Sequence, residues 1–249
     1  MTIEINNNII NVSSEFGIVY FRLKQFEIEH KETKNKIIIN NDLIDIDVLD
    51  YKLKIEKEIN TTDIYPILNN LIAYLINDDD NLYIHSVLIS KNNKGILILG
   101  DFKAGKSSLG MSATKKGYHI NSTDQTWIKN DNLIQGSIYN RIGENITFID
   151  IKDSKEKVKI KKIIIIKGIV QNGDLNIIKL NNDNYYVKNI FKYANWHYDM
   201  PLLTEYTKLK DTGKKMIGFL KKNKIETYLV YGNADNIMEV IDDWKETIK

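Results

Sequence analysis

The feature that most constrains the fold is an apolar run that leads into a glycine-containing loop. Ile96–Leu99 are four consecutive apolar residues, a pattern typical of a strand that is buried on both faces. A tight turn is predicted before this strand, at Lys91–Gly95. After the loop, Ser107–Lys116 are predicted to form a helix that ends at Gly117. A buried strand, a loop and a helix in this order indicate an α/β fold.

The loop itself matches the Walker A pattern, G-x-x-x-x-G-K-[ST]. Gly100 permits a tight turn after the strand, and Gly105 lets the backbone approach a phosphate closely. Lys106 can reach the β- and γ-phosphates of a nucleotide, and the Ser107 hydroxyl can join the ligands of Mg²⁺. The pattern therefore predicts a binding site for ATP and Mg²⁺. Its predicted nucleotide-binding residues are Gly100, Asp101, Phe102, Lys103, Ala104, Gly105, Lys106, Ser107 and Ser108.

The rest of the chain alternates between strand-like and helix-like patterns. Strands are predicted at Gly17–Phe21, Lys36–Ile39, Ile44–Val48, Leu82–Ile89, Tyr118–Ser122, Thr126–Lys129, Val158–Val170 and Glu226–Tyr231. Helices are predicted at residues 63–77, with Pro66 in the first turn, at Pro201–Asn223 and at Ala234–Lys249. We expect a β-rich N-terminal part over residues 1–60 and a nucleotide-binding part over residues 61–249. The boundary is expected anywhere between residues 60 and 80.

Composition limits the classes of function. The 249 residues include 35 basic and 33 acidic side chains, a balance that does not indicate a nucleic-acid or anionic-membrane partner. The sequence contains no cysteine, which excludes disulfides, thiolate metal sites and cysteine nucleophiles. No apolar run approaches the roughly 20 residues of a membrane helix, and the N-terminus lacks signal-peptide features. We therefore expect a soluble, cytoplasmic protein, and the pattern leaves a homo-oligomeric state open.

The stretch from His85 to Ile128 resembles the core of the HPr kinase and phosphoenolpyruvate carboxykinase-like group. That core has a strand bearing a histidine, a glycine-containing hairpin, a phosphate loop, a helix, a glycine and a strand that ends in acidic residues. The resemblance implies an α/β fold with a P-loop core sheet of this type, flanking helices and, here, a β-rich N-terminal part. It also implies ATP and Mg²⁺ as cofactors and transfer of a phosphoryl group.

The resemblance implies roles for two further residues. His85 carries over as a group that touches the γ-phosphate or the acceptor, and Asp124 carries over as a general base or Mg²⁺ ligand. The first acid of the family's pair falls on Thr123, so one carboxylate remains. The HPr kinase signature after residue 130 and its regulatory N-terminal domain have no counterpart. These departures favour a stand-alone homologue over a true HPr kinase. A core histidine and a turn-forming aspartate are the alternative interpretations.

Two features outside this stretch are candidates for holding the phosphoryl acceptor. Arg141 is one of only two arginines in the chain, and its planar guanidinium suits a phosphate or a carboxylate. A surface salt bridge explains Arg141 equally well. The run Trp196–Asp199 is rich in aromatic side chains that could line an acceptor site, although simple packing is the better interpretation.

We therefore expect an ATP-dependent kinase that transfers the γ-phosphoryl group to a hydroxyl of a small molecule or peptide. Lys106, Asp124 and His85 are its predicted catalytic residues, and Ser107 and Asp124 its predicted Mg²⁺ ligands. The alternative is a non-catalytic ATP-binding regulatory module, which the missing acid at Thr123 supports. A nucleotide hydrolase ranks last, because Gln125 is the only nearby candidate for positioning a water molecule.

Overall fold

The structure is a computed structural model that describes residues 1–101, 103–136, 139–142, 145–148, 158–170, 174–181, 184–193, 206–223 and 225–243. The fold is mixed α/β, with mixed sheets and helices. The chain divides into two compact units. The first contains Met1–Asp78 and His197–Met216, a segment described from residue 206 onwards, and the second contains Asp79–Trp196 and Ile217–Lys249. The separate N-terminal part ending at residue 60 stays a prediction.

In the described residues, the first unit contains a six-stranded sheet. Its strands are β1 (Thr2–Ile5), β2 (Asn8–Ser14), β3 (Glu27–Ile28), β4 (Lys36–Ile39), β5 (Leu43–Val48) and β6 (Tyr51–Glu56), in the order β3-β1-β2-β4-β5-β6. The alternating residues Ile37, Ile39, Ile44, Ile46 and Val48 are buried, which confirms the predicted strands β4 and β5. Two helices, α1 (Gly17–Leu23) and α2 (Thr61–Ile76), belong to the same unit.

The prediction of a strand at Gly17–Phe21 is wrong, because these residues form most of α1. β-branched and aromatic residues favour a strand locally. In the folded chain, however, Val19 and Leu23 lie four residues apart and are both buried. The guanidinium of Arg22 stacks 3.5 Å from the ring centroid of Tyr65 in α2. Tertiary packing of the helix thus outweighs the local preference for a strand.

The predicted helix at residues 63–77 is confirmed, but it begins earlier than expected. The cap of α2 is Asn60, whose N–H donates to the Asp63 carboxylate at 3.1 Å. Because the helix starts at Thr61, Pro66 lies in its second turn and not in its first. The missing N–H of Pro66 therefore removes a hydrogen bond within the helix instead of replacing an unused donor at its start.

In the described residues, the second unit contains a nine-stranded sheet. Its strands are β7 (Asn81–His85), β8 (Val87–Lys91), β9 (Lys94–Gly100), β10 (His119–Ser122), β11 (Gln125–Lys129), β12 (Asn132–Gly136), β15 (Lys159–Ile169), β16 (Asn176–Leu180) and β17 (Glu226–Gly232), and a separate pair consists of β13 (Tyr139–Ile142) and β14 (Asn145–Phe148). The other α-helices in the described part of the chain are α3 (Lys106–Thr114), α4 (Asn184–Tyr193), α5 (Tyr206–Lys222) and α6 (Ala234–Asp243). The main strand order is β10-β8-β9-β15-β12-β11-β7, with β17 also on β15 and β16 on β17.

The directions of the strands bring several strand ends to one edge of this sheet. Strands β9, β15 and β17 are parallel, whereas β8 is antiparallel to both β9 and β10. The carboxyl ends of β9, β10, β15 and β17 therefore meet at one edge, together with the start of β8. The predicted turn before β9 is confirmed: Asn92 and Asn93 connect β8 to β9 with φ angles of 53° and 61°.

The prediction of one strand at Leu82–Ile89 is wrong, because the strand is broken at Ser86. Strand β7 pairs with β11, whereas β8 pairs with β9 and β10. At the break, the Ser86 N–H donates to the backbone oxygen of Asp124 at 2.8 Å. The change of partner strand therefore occurs where the chain contacts the turn between β10 and β11.

The other predicted elements of this unit are confirmed where the structure describes them. Strands β9, β10, β11, β15 and β17 and helix α3 lie within one or two residues of their predicted bounds. The two C-terminal helices are present as α5 and α6, although residues 201–205 and 244–249 of the predicted helices lie outside the described residues. Strands β12 to β14, strand β16 and helix α4 were not predicted.

A buried apolar cluster joins one face of this sheet to α3 and α6. The sheet contributes Val87, Ile89, Ile98, Ile164, Ile166 and Val230, and the helices contribute Leu109, Ala113, Ile237, Met238 and Ile241. The cluster fixes the start of α3 relative to the end of β9. Within the described ranges, no helix is both long and apolar enough to cross a membrane.

Candidate functional site

The segment between Gly100, the last residue of β9, and Ser107 is here called the 100–107 loop. Its first turn is closed by the Ala104 N–H, which donates to the Asp101 carbonyl at 3.0 Å. Lys103 and Gly105 adopt left-handed backbone conformations, with φ angles of 64° and 98°. The first N–H groups of a helix have no partner within the helix, so the loop ends at a set of free donors at the start of α3. Such a loop end favours anions.

Both glycines of the loop are required by the close approach of β15. A Cβ atom added to Gly100 would lie 2.8 Å from the backbone oxygen of Ile166. One added to Gly105 would lie 2.4 Å from Cγ1 of Ile169. A larger residue at Gly100 therefore has to displace the backbone of β15, and one at Gly105 has to displace the Ile169 side chain. Gly105 also has a positive φ angle, which favours glycine.

The Lys106 ammonium group lies inside the loop. Lys106 is buried, and its Nζ donates to the carbonyl oxygens of Gly100 at 2.9 Å and Asp101 at 3.2 Å. Burial lowers the pKa of Lys106, while the carboxylates of Asp124 and Asp101 act in the opposite direction. Asp124 follows β10, whose carboxyl end lies at the same edge of the sheet as that of β9. Ser107 and Ser108 follow in the first turn of α3 and are exposed.

Asp124 lies in the turn between β10 and β11, beside the end of β7. His85 Nε2 is 3.8 Å from Asp124 Oδ1, and the two side chains keep 12% and 15% of their exposure. At this distance a protonated imidazole attracts the carboxylate, although the separation exceeds that of a hydrogen bond. The three residues that the sequence analysis grouped as catalytic are thus linked: His85 lies 3.8 Å from Asp124, and the charge of Asp124 acts on the pKa of Lys106.

Sequence reasoning missed three hydroxyl groups behind this turn. Ser86, Ser122 and Thr126 are fully buried, and their side-chain oxygens are hydrogen-bonded in series. The available signal was a small hydroxyl residue within or at the end of a predicted strand. That signal is weak without the fold, because Ser and Thr also occur at strand ends for local hydrogen bonding.

Few carboxylates are close enough to hold a cation at the loop. Strand β15, the parallel neighbour of β9, has no acidic residue between Lys159 and Gly173 in the sequence. In the part of the chain that the structure describes, no group of three or more His, Asp or Glu side chains could hold a metal ion. The oxygen-bearing groups of Ser107 and Asp124 fit Mg²⁺, which usually takes its remaining ligands from substrate phosphates and water.

Three of the predicted site features lie wholly or partly outside the described residues. Phe102 and the run Trp196–Asp199 are among the residues that the structure does not describe. The backbone of Arg141 lies in β13, where it pairs with Ile146 of β14, but its side chain is outside the description. The acceptor-binding roles of Arg141 and of the aromatic run therefore stay predictions.

Comparison with known proteins identifies no family. No protein-family model matches the chain, and a search of the curated proteins finds no match. Function is therefore inferred from the residues of the site and their geometry.

Proposed function

We propose that the 100–107 loop is a P-loop that binds Mg·ATP, and that the protein is an HPr kinase-like phosphotransferase. The acceptor would be a hydroxyl of a small molecule or peptide. One observation carries this proposal: Lys106 lies in a glycine-containing loop at the edge of the sheet where β10 leads into Asp124, whose carboxylate is 3.8 Å from the His85 imidazole. Phosphoryl transfer needs little more than positioned charges and a proton acceptor.

The contacts of Lys106 support phosphate binding. Its ammonium donates to two neutral carbonyl oxygens, of Gly100 and Asp101. A charged phosphate oxygen is a stronger acceptor than a carbonyl, so Lys106 gains by turning towards a bound nucleotide. The N–H groups at the start of α3 add donors for the same phosphates.

The position of Asp124 supports a role as proton acceptor. An acceptor hydroxyl in line with the γ-phosphate has to release its proton as its oxygen bonds to phosphorus. Asp124 follows β10 at the edge of the sheet where the loop begins, and His85 Nε2 lies 3.8 Å from its Oδ1. Lys106, in that loop, would hold the phosphate. Mg²⁺, when bound by Ser107 and Asp124, supplies charge neutralisation of the phosphates.

Two observations disfavour a nucleotide hydrolase of the common P-loop type. Such enzymes hold Mg²⁺ partly through an acid in a Walker B motif. The parallel strand next to the loop here, β15, has none, and it carries Lys167 directly after its apolar run. Gln125, the predicted water-positioning candidate, is buried in β11 opposite His85.

The specific observation that favours the other alternative, a non-catalytic ATP-binding module, remains Thr123 in place of a second acid.

Calorimetry with Mg·ATP tests the proposal. We expect the wild type to bind and Lys106→Ala to lose at least about a hundredfold in affinity, since a charge-assisted hydrogen bond and a buried cation are removed together. Lys94→Ala is the matched control, because it removes an exposed lysine from the opposite end of β9. Absence of binding by the wild type, or equal affinities for wild type and Lys106→Ala, would overturn the proposal.

A further inference from the structure

A series of buried hydroxyl groups connects the strand break at Ser86 to the turn that carries Asp124. Ser86 Oγ lies 2.7 Å from Thr126 Oγ1, which in turn lies 2.7 Å from Ser122 Oγ. Ser122 Oγ lies 2.9 Å from the backbone oxygen of Gln125. All three hydroxyl-bearing residues are 0% exposed. We call Ser86, Thr126 and Ser122 the hydroxyl chain.

The number of available protons fixes the direction of the hydrogen bonds along the hydroxyl chain. A carbonyl oxygen only accepts, so Ser122 donates its single proton to Gln125. Thr126 must then donate to Ser122, and Ser86 must donate to Thr126. The longer contacts, from Ser122 to the Ser86 carbonyl at 3.3 Å and from Ser86 to the Ile84 carbonyl at 3.4 Å, are secondary to these. Each hydroxyl thus has one defined donor role, and the chain ends on the residue next to Asp124.

The backbone ties the same turn to the same strand break. The Ser86 N–H donates to the Asp124 carbonyl at 2.8 Å, so Ser86 holds the turn both directly and through the hydroxyl chain. Strand β12 packs against the end of β10, just before the turn. A Cβ added to Gly136 of β12 would lie 2.6 Å from both the Asn121 carbonyl oxygen and Cβ of Ser122. The segment from Ser122 to Thr126 is therefore fixed at both ends.

We propose that the hydroxyl chain positions Asp124 for phosphoryl transfer, so that Ser86, Thr126 and Ser122 are positioning residues of the site. This inference rests on the proposed function. A general base has to be held within a few tenths of an ångström of its working position, and that precision depends on the groups that support it. Alanine and valine would fill these strand positions without burying a polar atom, whereas buried hydroxyl groups must be hydrogen-bonded to be tolerated. The hydroxyl chain meets that requirement and directs its last bond at the turn.

The test uses the full chain and the slow, Mg²⁺-dependent hydrolysis of ATP that the proposed kinase is expected to show when no acceptor is present. In that reaction water takes the place of the acceptor: its oxygen bonds to the γ-phosphorus, its proton passes to Asp124, and the bond to the β-phosphate oxygen breaks to release ADP. Thr126→Val removes the central hydroxyl with little change of shape. We expect kcat to fall at least about tenfold while the calorimetric Kd for Mg·ATP stays within about threefold, as for the loss of an interaction made in the transition state.

Conservative and control variants separate positioning from simple packing. Thr126→Ser keeps the hydroxyl and is expected to retain kcat within about threefold, although it loses a buried methyl group. Ser90→Ala removes a buried hydroxyl from β8 that is not part of the hydroxyl chain, and it is expected to leave kcat unchanged. Ser122→Ala provides a second break in the chain if Thr126→Val does not fold.

Each outcome bears on one proposal or on both. A folded Thr126→Val or Ser122→Ala variant with wild-type kcat would overturn the positioning role and leave the kinase proposal standing. The same follows if Thr126→Ser is as slow as Thr126→Val, because the methyl group would then be the important feature. If the wild type binds no Mg·ATP or never turns it over, the kinase proposal fails and the positioning role fails with it.

Discussion

The two larger sheets of the described residues differ in how far their charged residues are exposed. In the first unit, Asp45 and Asp47 of strand β5 pair with Lys36 and Lys52 of the neighbouring strands, and these side chains are mostly a third or more exposed. In the second unit, Lys106 is buried at the sheet edge, and the side chains of His85 and Asp124 are only 12% and 15% exposed. An exposed pair contributes little and is easily replaced, whereas a buried charge is costly. Burial of a charge is therefore the better indicator of chemistry.

The largest expected difference between the two sheets is in catalysis. Asp124→Asn keeps the size of the side chain but removes the proton acceptor, so we expect ATP turnover to fall by two or more orders of magnitude, the scale of general-base loss. The calorimetric Kd for Mg·ATP should stay within about tenfold. Asp45→Asn makes the same chemical change in the first sheet and should leave turnover unchanged. Near-normal turnover in Asp124→Asn would assign the base to another group, with His85 the first candidate.

A smaller effect, on the free energy of unfolding, is expected from substitution of two glycines of the second unit. Gly105 and Gly117 both have left-handed φ angles, of 98° and 81°, but only Gly105 lacks room for a Cβ. Gly117→Ala should reduce the free energy of unfolding by about 1 kcal/mol through backbone strain alone. Gly105→Ala should cost about 1–3 kcal/mol more, because Ile169 has to move. Denaturant midpoints measure the stability of both variants. Equal losses of stability in Gly105→Ala and Gly117→Ala would show that β15 does not restrict the loop.

The smallest effect is expected in the exposed pairs of the first sheet. The Lys36 ammonium lies 2.5 Å from an Asp45 oxygen, with 42% of the lysine side chain exposed. Removing the charge in Asp45→Asn should change the free energy of unfolding by about 0.2–1 kcal/mol, and high salt should reduce that difference. Urea unfolding at two salt concentrations measures it. A salt-independent loss above about 2 kcal/mol would mean that this pair acts like a buried one.

The predictions from sequence succeeded where the local pattern of apolar and polar residues indicates which side chains are buried. Alternation in β4 and β5 and the apolar runs of β9 and β15 are local, and so is the helical spacing of α2. They failed where a distant contact decides the local structure. Helix α1 depends on its packing, including the stacking of Arg22 on Tyr65, and the break at Ser86 depends on the turn at Asp124.

The same distinction applies to the candidate site. The glycines and lysine of the loop have a recognisable spacing, and the structure adds the reason why β15 excludes larger residues there. The sequence groups His85, Asp124 and Lys106 through the resemblance alone, whereas their places in the fold follow from strand pairing. The buried hydroxyl groups were missed because Ser86 lies at an unpredicted strand break, and Ser122 and Thr126 are ordinary strand residues until their neighbours are known.

The contacts of Lys106 have a consequence for the anions that surround the protein in solution. Because the ammonium already donates to the carbonyls of Gly100 and Asp101, an anion that enters the loop has to replace two existing hydrogen bonds. A monovalent ion such as chloride offers a single point of contact and would replace these bonds only in part. A chain of phosphates would engage the lysine and several backbone donors at once. If the loop binds phosphates as proposed, the carbonyl contacts of Lys106 would therefore favour a ligand with many acceptor atoms over a small ion.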